Sequence, residues 1–178
     1  MSNVEAVLVG LVRESLHELL EAYAISTEHT VNAPGEPETT AFVGFAGDAL
    51  KGGLLLIASD ATLRRTRPRI GSADDEPGQR ELSDWLSELC NQLMGRLKNK
   101  LLPRQVTVYI TVPSIVHGRD LQPDQITGSD GAAERVGFRE SAGSFQCFLN
   151  AEYKPDFVIP ELPEGYVSQQ SEGDMLLF

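Results

Sequence analysis

The amphipathic segment ELSDWLSELCNQLMGRLKNKLL lies at residues 81–102, and its pattern is the main evidence for the predicted fold. Apolar residues recur there every three or four positions, the repeat of a helix that turns one stripe toward a core. They are Leu82, Trp85, Leu86, Leu89, Leu93, Leu97 and Leu101. Pro103 follows shortly and is expected to end the helix, because proline cannot continue the backbone hydrogen-bond ladder. The segment therefore predicts a long helix packed against a hydrophobic core.

The opposite side of this helix carries four residues at regular spacing, namely Asp84, Glu88, Asn91 and Gly95. Successive helical residues are separated by about 100°, so these spacings place all four on one narrow face. A glycine inside a helix costs roughly 0.8–1 kcal/mol relative to alanine, which suggests that another backbone approaches closely here. Spacing alone also fits an ordinary solvated face, because every amphipathic helix has a polar side.

The remaining pattern predicts an α+β fold. Helical spacing predicts a first long helix over 4–24, and a short helix is expected over 61–67. Alternating or β-branched runs predict strands over 25–31, 40–45, 53–58, 106–112, 135–139 and 144–151. A helix does not separate every pair of strands, so two long helices packed on a largely antiparallel sheet are favoured over a doubly wound sheet.

Two stretches refine the predicted sheet. Glycines at both ends of 47–52 indicate a hairpin, and the continuous apolar run 54–57 after it predicts a central strand covered on both faces. Residues 106–112 alternate apolar and polar side chains, so they predict a strand buried on one face. Pro113 interrupts that strand and implies a sheet edge, a bulge or a strand end.

Charge and composition restrict the classes of partner. The chain has 178 residues and a formal net charge of −11, with a pI of about 4.7. Nucleic acids and anionic membranes are excluded as expected partners, because both need a basic surface. An acidic surface instead steers the chain toward a basic patch on another protein.

The cysteines and histidines give no metal or disulfide pattern. Cys90 and Cys147 have apolar flanks and no metal-type spacing, so we interpret them as reduced thiols of a cytoplasmic protein. His17, His29 and His117 are scattered along the chain. No stretch approaches the ~20 apolar residues that span a bilayer, and the N-terminus lacks the cationic start of a signal peptide.

The polar face belongs to a longer pattern. Residues 84–95, DWLSELCNQLMG, are followed by residues 110–118, ITVPSIVHG. Together they resemble the signature of the CheC/CheX/FliY phosphatase family, in which an Asp or Ser, a Glu, an Asn and a Pro follow in order. Asp84, Glu88, Asn91 and Pro113 match it here. The gap from Asn91 to Pro113 is one residue shorter than the family pattern, and a small deletion near Pro103 explains this.

The resemblance covers roughly residues 1–150 and implies a CheX-like phosphatase domain over 1–153, followed by an acidic, proline-containing tail over 154–178. The motif appears once, because the first helix offers Ser15, Glu18 and Glu21 without an Asn. The chain is therefore similar to CheX-type proteins, which carry one motif and pair as homodimers through their sheets. The Glu88 and Asn91 helices would then stay free on the outside.

The resemblance also implies an activity, hydrolysis of the aspartyl phosphate of a CheY-like receiver domain. Asn91 would hold the attacking water, since a carboxamide both donates and accepts hydrogen bonds. Glu88 would contact a lysine of the receiver, with Asp84, Gly95 and Pro113 in supporting roles. No metal or cofactor of its own is implied, since the Mg²⁺ belongs to the receiver. A non-catalytic receiver-binding or scaffold module of the same fold is the alternative, and a small-molecule sensor lacks any cofactor motif.

Overall fold

Three helices form where the apolar periodicity predicts them. A computed structural model describes residues 3–26, 37–68, 76–119, 134–142, 144–163 and 165–166. The helices are α1 (Asn3–Ala22), α2 (Asp60–Thr66) and α3 (Gln79–Leu101). Their bounds lie within two residues of the predicted ranges, so the helical part of the prediction is confirmed.

The described strands form one antiparallel sheet. They are β1 (Glu38–Ala46), β2 (Leu50–Ser59), β3 (Tyr109–Ile110), β4 (Ser114–Gly118), β5 (Glu134–Ala142) and β6 (Phe145–Tyr153). The order is β3-β1-β2-β6-β5, and β4 lies beside β1 on the same edge as β3. The predicted hairpin is present as β1–β2, and the strands predicted over 135–139 and 144–151 form a second hairpin, β5–β6. This architecture confirms the α+β fold with a largely antiparallel sheet.

The long helices pack on one face of this sheet around a shared core. The central strand β2 contributes Leu54, Leu56 and Ala58 to that core. Its alternate residues Leu55 and Ile57 point to the other face and are also buried, with 1% and 2% exposure. Both sides of β2 are therefore shielded, as the continuous apolar run predicts.

The predicted strand over 106–112 is wrong in extent, because only Tyr109 and Ile110 pair with β1. The chain leaves α3 through a short 3₁₀ helix and a left-handed Gln105 (φ 62°). Val106 and Val108 then fill the core from irregular backbone. A β-carbon on Gly47 would lie 2.3 Å from the carbonyl oxygen of Thr107, so these two backbones are in close contact. The alternation of apolar and polar residues over 106–112 therefore comes from the packing of the segment that connects α3 to the sheet, and does not mark a long strand.

Pro113 lies at the break between β3 and β4, two short strands that pair with successive parts of β1. Pro113 directly precedes β4 at the outer edge of the sheet, which agrees with the sheet edge among the three alternatives predicted for this proline. The strand predicted over 25–31 is absent at Ile25 and Ser26, which follow α1 without strand pairing. Residues 27–31 lie outside the described residues.

The segment after β6 lies against the ends of the helices. Ile159 is 1% exposed, and its backbone N–H donates to the side-chain oxygen of Asn3 at 3.0 Å. Arg104 donates to the carbonyl oxygen of Pro160 at 2.9 Å. Residues 157–160 are thereby tied to both α1 and the end of α3. Within the part of the chain that the structure describes, no helix is both long and apolar enough to cross a bilayer.

Candidate functional site

Helix α3 is fixed to the domain along its whole length. Its buried side consists of Leu82, Trp85, Leu86, Leu89, Cys90, Leu93, Met94, Leu97 and Leu101. At its N-terminus the carboxylate of Glu81 accepts the backbone N–H of Gly78 at 2.9 Å and an N–H of Arg67 at 2.6 Å. Both bonds favour the charged carboxylate and lower the pKa of Glu81. The helix is a rigid support for whatever its outer face carries.

The outer face presents the predicted residues together. Asp84, Glu88 and Asn91 are exposed, and Gly95 is half-buried. Arg80 approaches Asp84 at 4.0 Å, but both side chains are largely exposed, so this pair contributes little to stability. Apart from the adjacent residues and the backbone of α3 itself, no described atom lies within 4 Å of the position that a β-carbon on Gly95 would occupy. The chain's own packing therefore does not require a glycine there.

Glu88 is held in place by a neighbour that the motif does not include. Gln92, one turn further along α3, donates from Nε2 to Glu88 Oε1 at 2.6 Å. The same amide nitrogen donates to the hydroxyl of Tyr23, just beyond α1, at 2.7 Å. Sequence reasoning missed both residues. The i,i+4 spacing of Glu88 and Gln92 is a signal that could have found the first, whereas nothing local points to Tyr23.

A second polar cluster secures the first turn of α3 against the sheet edge. The ring of His117 on β4 lies 3.0 Å from Gln79 Nε2 and 3.1 Å from Thr39 Oγ1, both measured at Nδ1. Its Nε2 lies 3.2 Å from Ser83 Oγ. The Ser83 hydroxyl also donates to the carbonyl of Gln79. This arrangement fits the structural role of a side chain that joins a helix to a strand.

The structure brings four of the five predicted site residues onto one surface and leaves the fifth on another element. Pro113 is half-buried between β3 and β4. Among the described hydrogen bonds, none joins residues 111–113 to Glu88 or Asn91. Thr111 instead exchanges two bonds of 2.9 Å with the backbone of Gly44. Pro113 therefore belongs to the sheet edge beside α3.

The acidic residues of α1 face a different environment. Lys100 of α3 donates to Glu18 at 2.8 Å and lies 3.2 Å from Glu14, while Arg96 lies 3.8 Å from Glu18. Burial acts to lower the pKa of Lys100, but its bonds to Glu18 and Glu14 outweigh burial and leave that pKa above its ordinary value. These carboxylates are neutralised within the domain.

The remaining reactive groups of the described residues do not form a second centre. Cys90 and Cys147 are buried and form no disulfide with each other. Burial raises the pKa of the Cys90 thiol to about 12, so this thiol stays protonated and unreactive. Among the described residues, no group of three or more His, Cys, Asp and Glu side chains is placed to hold a metal ion.

Comparison with known proteins places this geometry in a family. The family described as chemotaxis phosphatase CheX matches residues 39–133, more than half of the chain. None of the curated proteins compared with the chain matches it.

Three solved structures have a similar fold at low sequence identity. A CheC-like chemotactic protein from Shewanella oneidensis MR-1 is 18% identical with a TM-score of 0.61, and CheX from Vibrio vulnificus is 17% identical with a TM-score of 0.59. Both alignments cover 86% of this chain and 100% of the other. The complex of CheX with CheY, BeF₃ and Mg²⁺ from Borrelia burgdorferi contains a chain that is 15% identical, with a TM-score of 0.53 and coverage of 83% and 97%. The family match over residues 39–133, on a fold shared with these proteins, shows that the chain belongs to the CheX family.

Proposed function

We propose that this chain is a phosphatase that hydrolyses the aspartyl phosphate of a CheY-like response regulator. Its family is described as a chemotaxis phosphatase, and one protein of similar fold forms a complex with CheY. The observation that carries the proposal is the display of Glu88 and Asn91 side by side on the exposed face of a helix fixed to the core. A rigid, water-exposed face suits docking onto a phosphorylated receiver.

Asn91 positions the attacking water in this proposal. Its amide accepts a hydrogen bond from the water and donates another, so the water oxygen is held in line with the phosphorus. The oxygen attacks phosphorus, the bond from phosphorus to the aspartyl oxygen breaks, and the products are the free carboxylate and inorganic phosphate, which keeps the water's protons. The amide is neutral and adds no negative charge beside the phosphoryl oxygens. The receiver supplies the Mg²⁺, and the chain itself contributes no cofactor.

Glu88 and its neighbours orient the receiver. The Glu88 carboxylate accepts a hydrogen bond from a lysine of the receiver, while Asp84 adds negative potential at the edge of the face. Gly95 leaves room for the receiver's backbone, and Pro113 supports the site from the sheet edge, directly before β4. The net charge of −11 steers the chain toward a basic surface before contact.

We further propose that two copies pair through their sheets and work in the cytoplasm. The outer edge formed by β3 and β4 presents backbone N–H and C=O groups, and such groups are a template for pairing with another chain. The long helices lie on one face of the sheet, so pairing through the edge or the other face leaves both α3 surfaces accessible. Each chain of the pair would hold one complete site.

The decisive experiment measures loss of the acyl phosphate from a purified, phosphorylated CheY-like receiver in Mg²⁺ buffer. We expect the wild-type chain to accelerate the decay catalytically, with turnover at a chain concentration far below that of the receiver. Binding to the receiver without faster decay would instead support the non-catalytic module. Absence of both binding and acceleration with several receivers would contradict the proposal.

A further inference from the structure

We propose that Gln92, held by Tyr23, is a positioning residue that fixes the carboxylate of Glu88 for the receiver. This inference rests on the proposed phosphatase function and concerns residues outside the family motif. Gln92 lies one turn after Glu88 and donates to it at 2.6 Å. A glutamate on an exposed helix face otherwise samples several rotamers, and ordering it on binding opposes association.

The two N–H donors of the Gln92 side chain explain why Gln92 engages only one oxygen of the Glu88 carboxylate. A glutamine side chain has two N–H donors on Nε2, and here one is directed to Glu88 Oε1 and the other to Tyr23 OH. The bond to Tyr23 therefore sets where the second N–H points. Within the part of the chain that the structure describes, no donor engages Oε2 of Glu88, which leaves it for a donor from outside, such as the ammonium group of a receiver lysine.

Tyr23 is itself held in place by an aromatic contact with Trp85. Its ring meets the ring of Trp85 edge-on, with centroids 4.9 Å apart and an interplanar angle of 84°. Trp85 is 7% exposed and donates from Nε1 to Thr66 Oγ1 of α2 at 3.3 Å. A continuous set of contacts thus runs from α2 through two aromatic rings to Gln92 and ends at Glu88.

The charge of the group that orients Glu88 matters as much as the position of that group. A lysine at residue 92 would form an i,i+4 ion pair with Glu88 and compete with the receiver's lysine for the same carboxylate. The amide of Gln92 orients the carboxylate and leaves its negative charge intact. A neutral donor is therefore suited to presenting Glu88 to a cationic partner.

The test compares Gln92→Met, which keeps the length and removes both donors, with Tyr23→Phe, which removes one hydroxyl. Tyr166→Phe is the matched control, because the Tyr166 ring is 44% exposed in the C-terminal segment. With a phosphorylated receiver as substrate, we expect Gln92→Met to raise KM about two- to tenfold, in line with the ordering of one long side chain, and to leave kcat close to wild type. Tyr23→Phe should shift KM in the same direction by less, and Gln92→Lys by more.

A double-mutant cycle separates positioning from general structure. In a Glu88→Gln background, Gln92→Met should raise KM no further, because the carboxylate that it positions is gone. An unchanged KM for Gln92→Met, or an equal rise in both backgrounds, would overturn the inference. A wild-type chain that neither binds nor dephosphorylates the receiver would instead refute the proposed function, so the two failures are distinguishable.

Discussion

Glu14 and Glu18 of α1 and Glu88 of α3 lie on neighbouring helices and meet opposite kinds of partner. Glu14 and Glu18 of α1 contact the cation of Lys100, at 3.2 and 2.8 Å. Glu88 of α3 contacts the neutral amide of Gln92 at 2.6 Å. Within the described part of the chain, no Lys or Arg forms an ion pair with Glu88.

This difference separates carboxylates that hold the domain together from a carboxylate that remains available. The charges of Glu14 and Glu18 are compensated by Lys100 and Arg96 at the domain surface, so these ion pairs join α1 to α3. Glu88 is oriented without being neutralised, and its field extends into solvent. The same residue type therefore stabilises on one helix and, in our proposal, recognises a partner on the other.

The largest effect is expected for Asn91→Ala, which removes the group that we propose positions the attacking water. We expect the rate of receiver dephosphorylation to fall on the order of 10²-fold or more. Thermal unfolding should be unchanged, because Asn91 is exposed and makes no core contact. Asn99→Ala, an exposed asparagine on the same helix, is the control. An Asn91→Ala chain as active as wild type would rule out the catalytic assignment.

Reversing one charge on each helix tests the comparison directly. Glu88→Lys should weaken receiver binding about tenfold or more, because a lysine would face the receiver's lysine, and should leave unfolding unchanged. Glu18→Lys should lower the free energy of unfolding by about 0.5–1 kcal/mol through loss of its ion pairs, with binding preserved. Titrations at several salt concentrations, beside urea unfolding, measure both. Equal effects of the two changes on binding would remove the distinction between the helices.

Substitutions at Gly95 have opposite expected effects on folding and on docking. Gly95→Ala should raise the free energy of unfolding by roughly 0.8–1 kcal/mol, because the position is helical and open. Gly95→Leu should weaken receiver binding several-fold by occupying the space left for the partner. Both quantities follow from denaturant unfolding and a binding titration on each variant. If the leucine variant bound normally, the receiver would not approach this part of α3.

The pH dependence of the free energy of unfolding should show that Lys100 stabilises the fold through its ion pairs with Glu14 and Glu18. The pKa of folded Lys100 lies above its ordinary value of 10.5, so its ion pairs stabilise the fold fully below that value. Their contribution disappears as the pH rises through the folded pKa. Urea unfolding of wild type and Lys100→Met, from about pH 8 to 11.5, should therefore give a difference that shrinks at the alkaline end. A difference that grows with pH would contradict this sign.

Assembly should have the smallest effect on activity. We expect light scattering to give about twice the chain mass of 19.4 kDa at concentrations of tens of micromolar. Because each chain of the pair carries its own site, activity per chain should stay constant on dilution through dissociation. A mass near 19.4 kDa would contradict the dimer. An interface that buries Asn91 would contradict the docking face as well.

The helices and the polar face could be predicted because a single repeat encodes both. Leu82, Leu86 and Leu93 recur at helical spacing and all reach the core, which leaves Glu88 and Asn91 on the solvent side. The strand prediction over 106–112 failed because the alternation of apolar and polar residues there has another cause. Val106 and Val108 are buried from irregular backbone after Gln105, so the period of two did not indicate a strand.

Most of the contacts that could not be predicted from the sequence join residues that are far apart along the chain. The bond between Gln92 and Tyr23 joins residues 69 positions apart, and no local pattern relates them. Ile159 is similar, because it is buried and its backbone N–H bonds to Asn3, 156 positions away. Local periodicity specifies which face of a helix is polar, whereas the packing of distant segments decides which polar residues are held in place.

The central claim is that the outer face of α3 meets the phosphorylated receiver, and NMR tests it most directly. Spectra of the ¹⁵N-labelled chain would be recorded while a CheY-like receiver, with beryllofluoride and Mg²⁺ as the stable phosphate mimic, is titrated in. We predict the largest shifts at the side-chain amides of Asn91 and Gln92 and at the backbone of residues 84–95, with Asn99 little affected. Shifts confined to β3 and β4, with the Asn91 amide unchanged, would contradict the account.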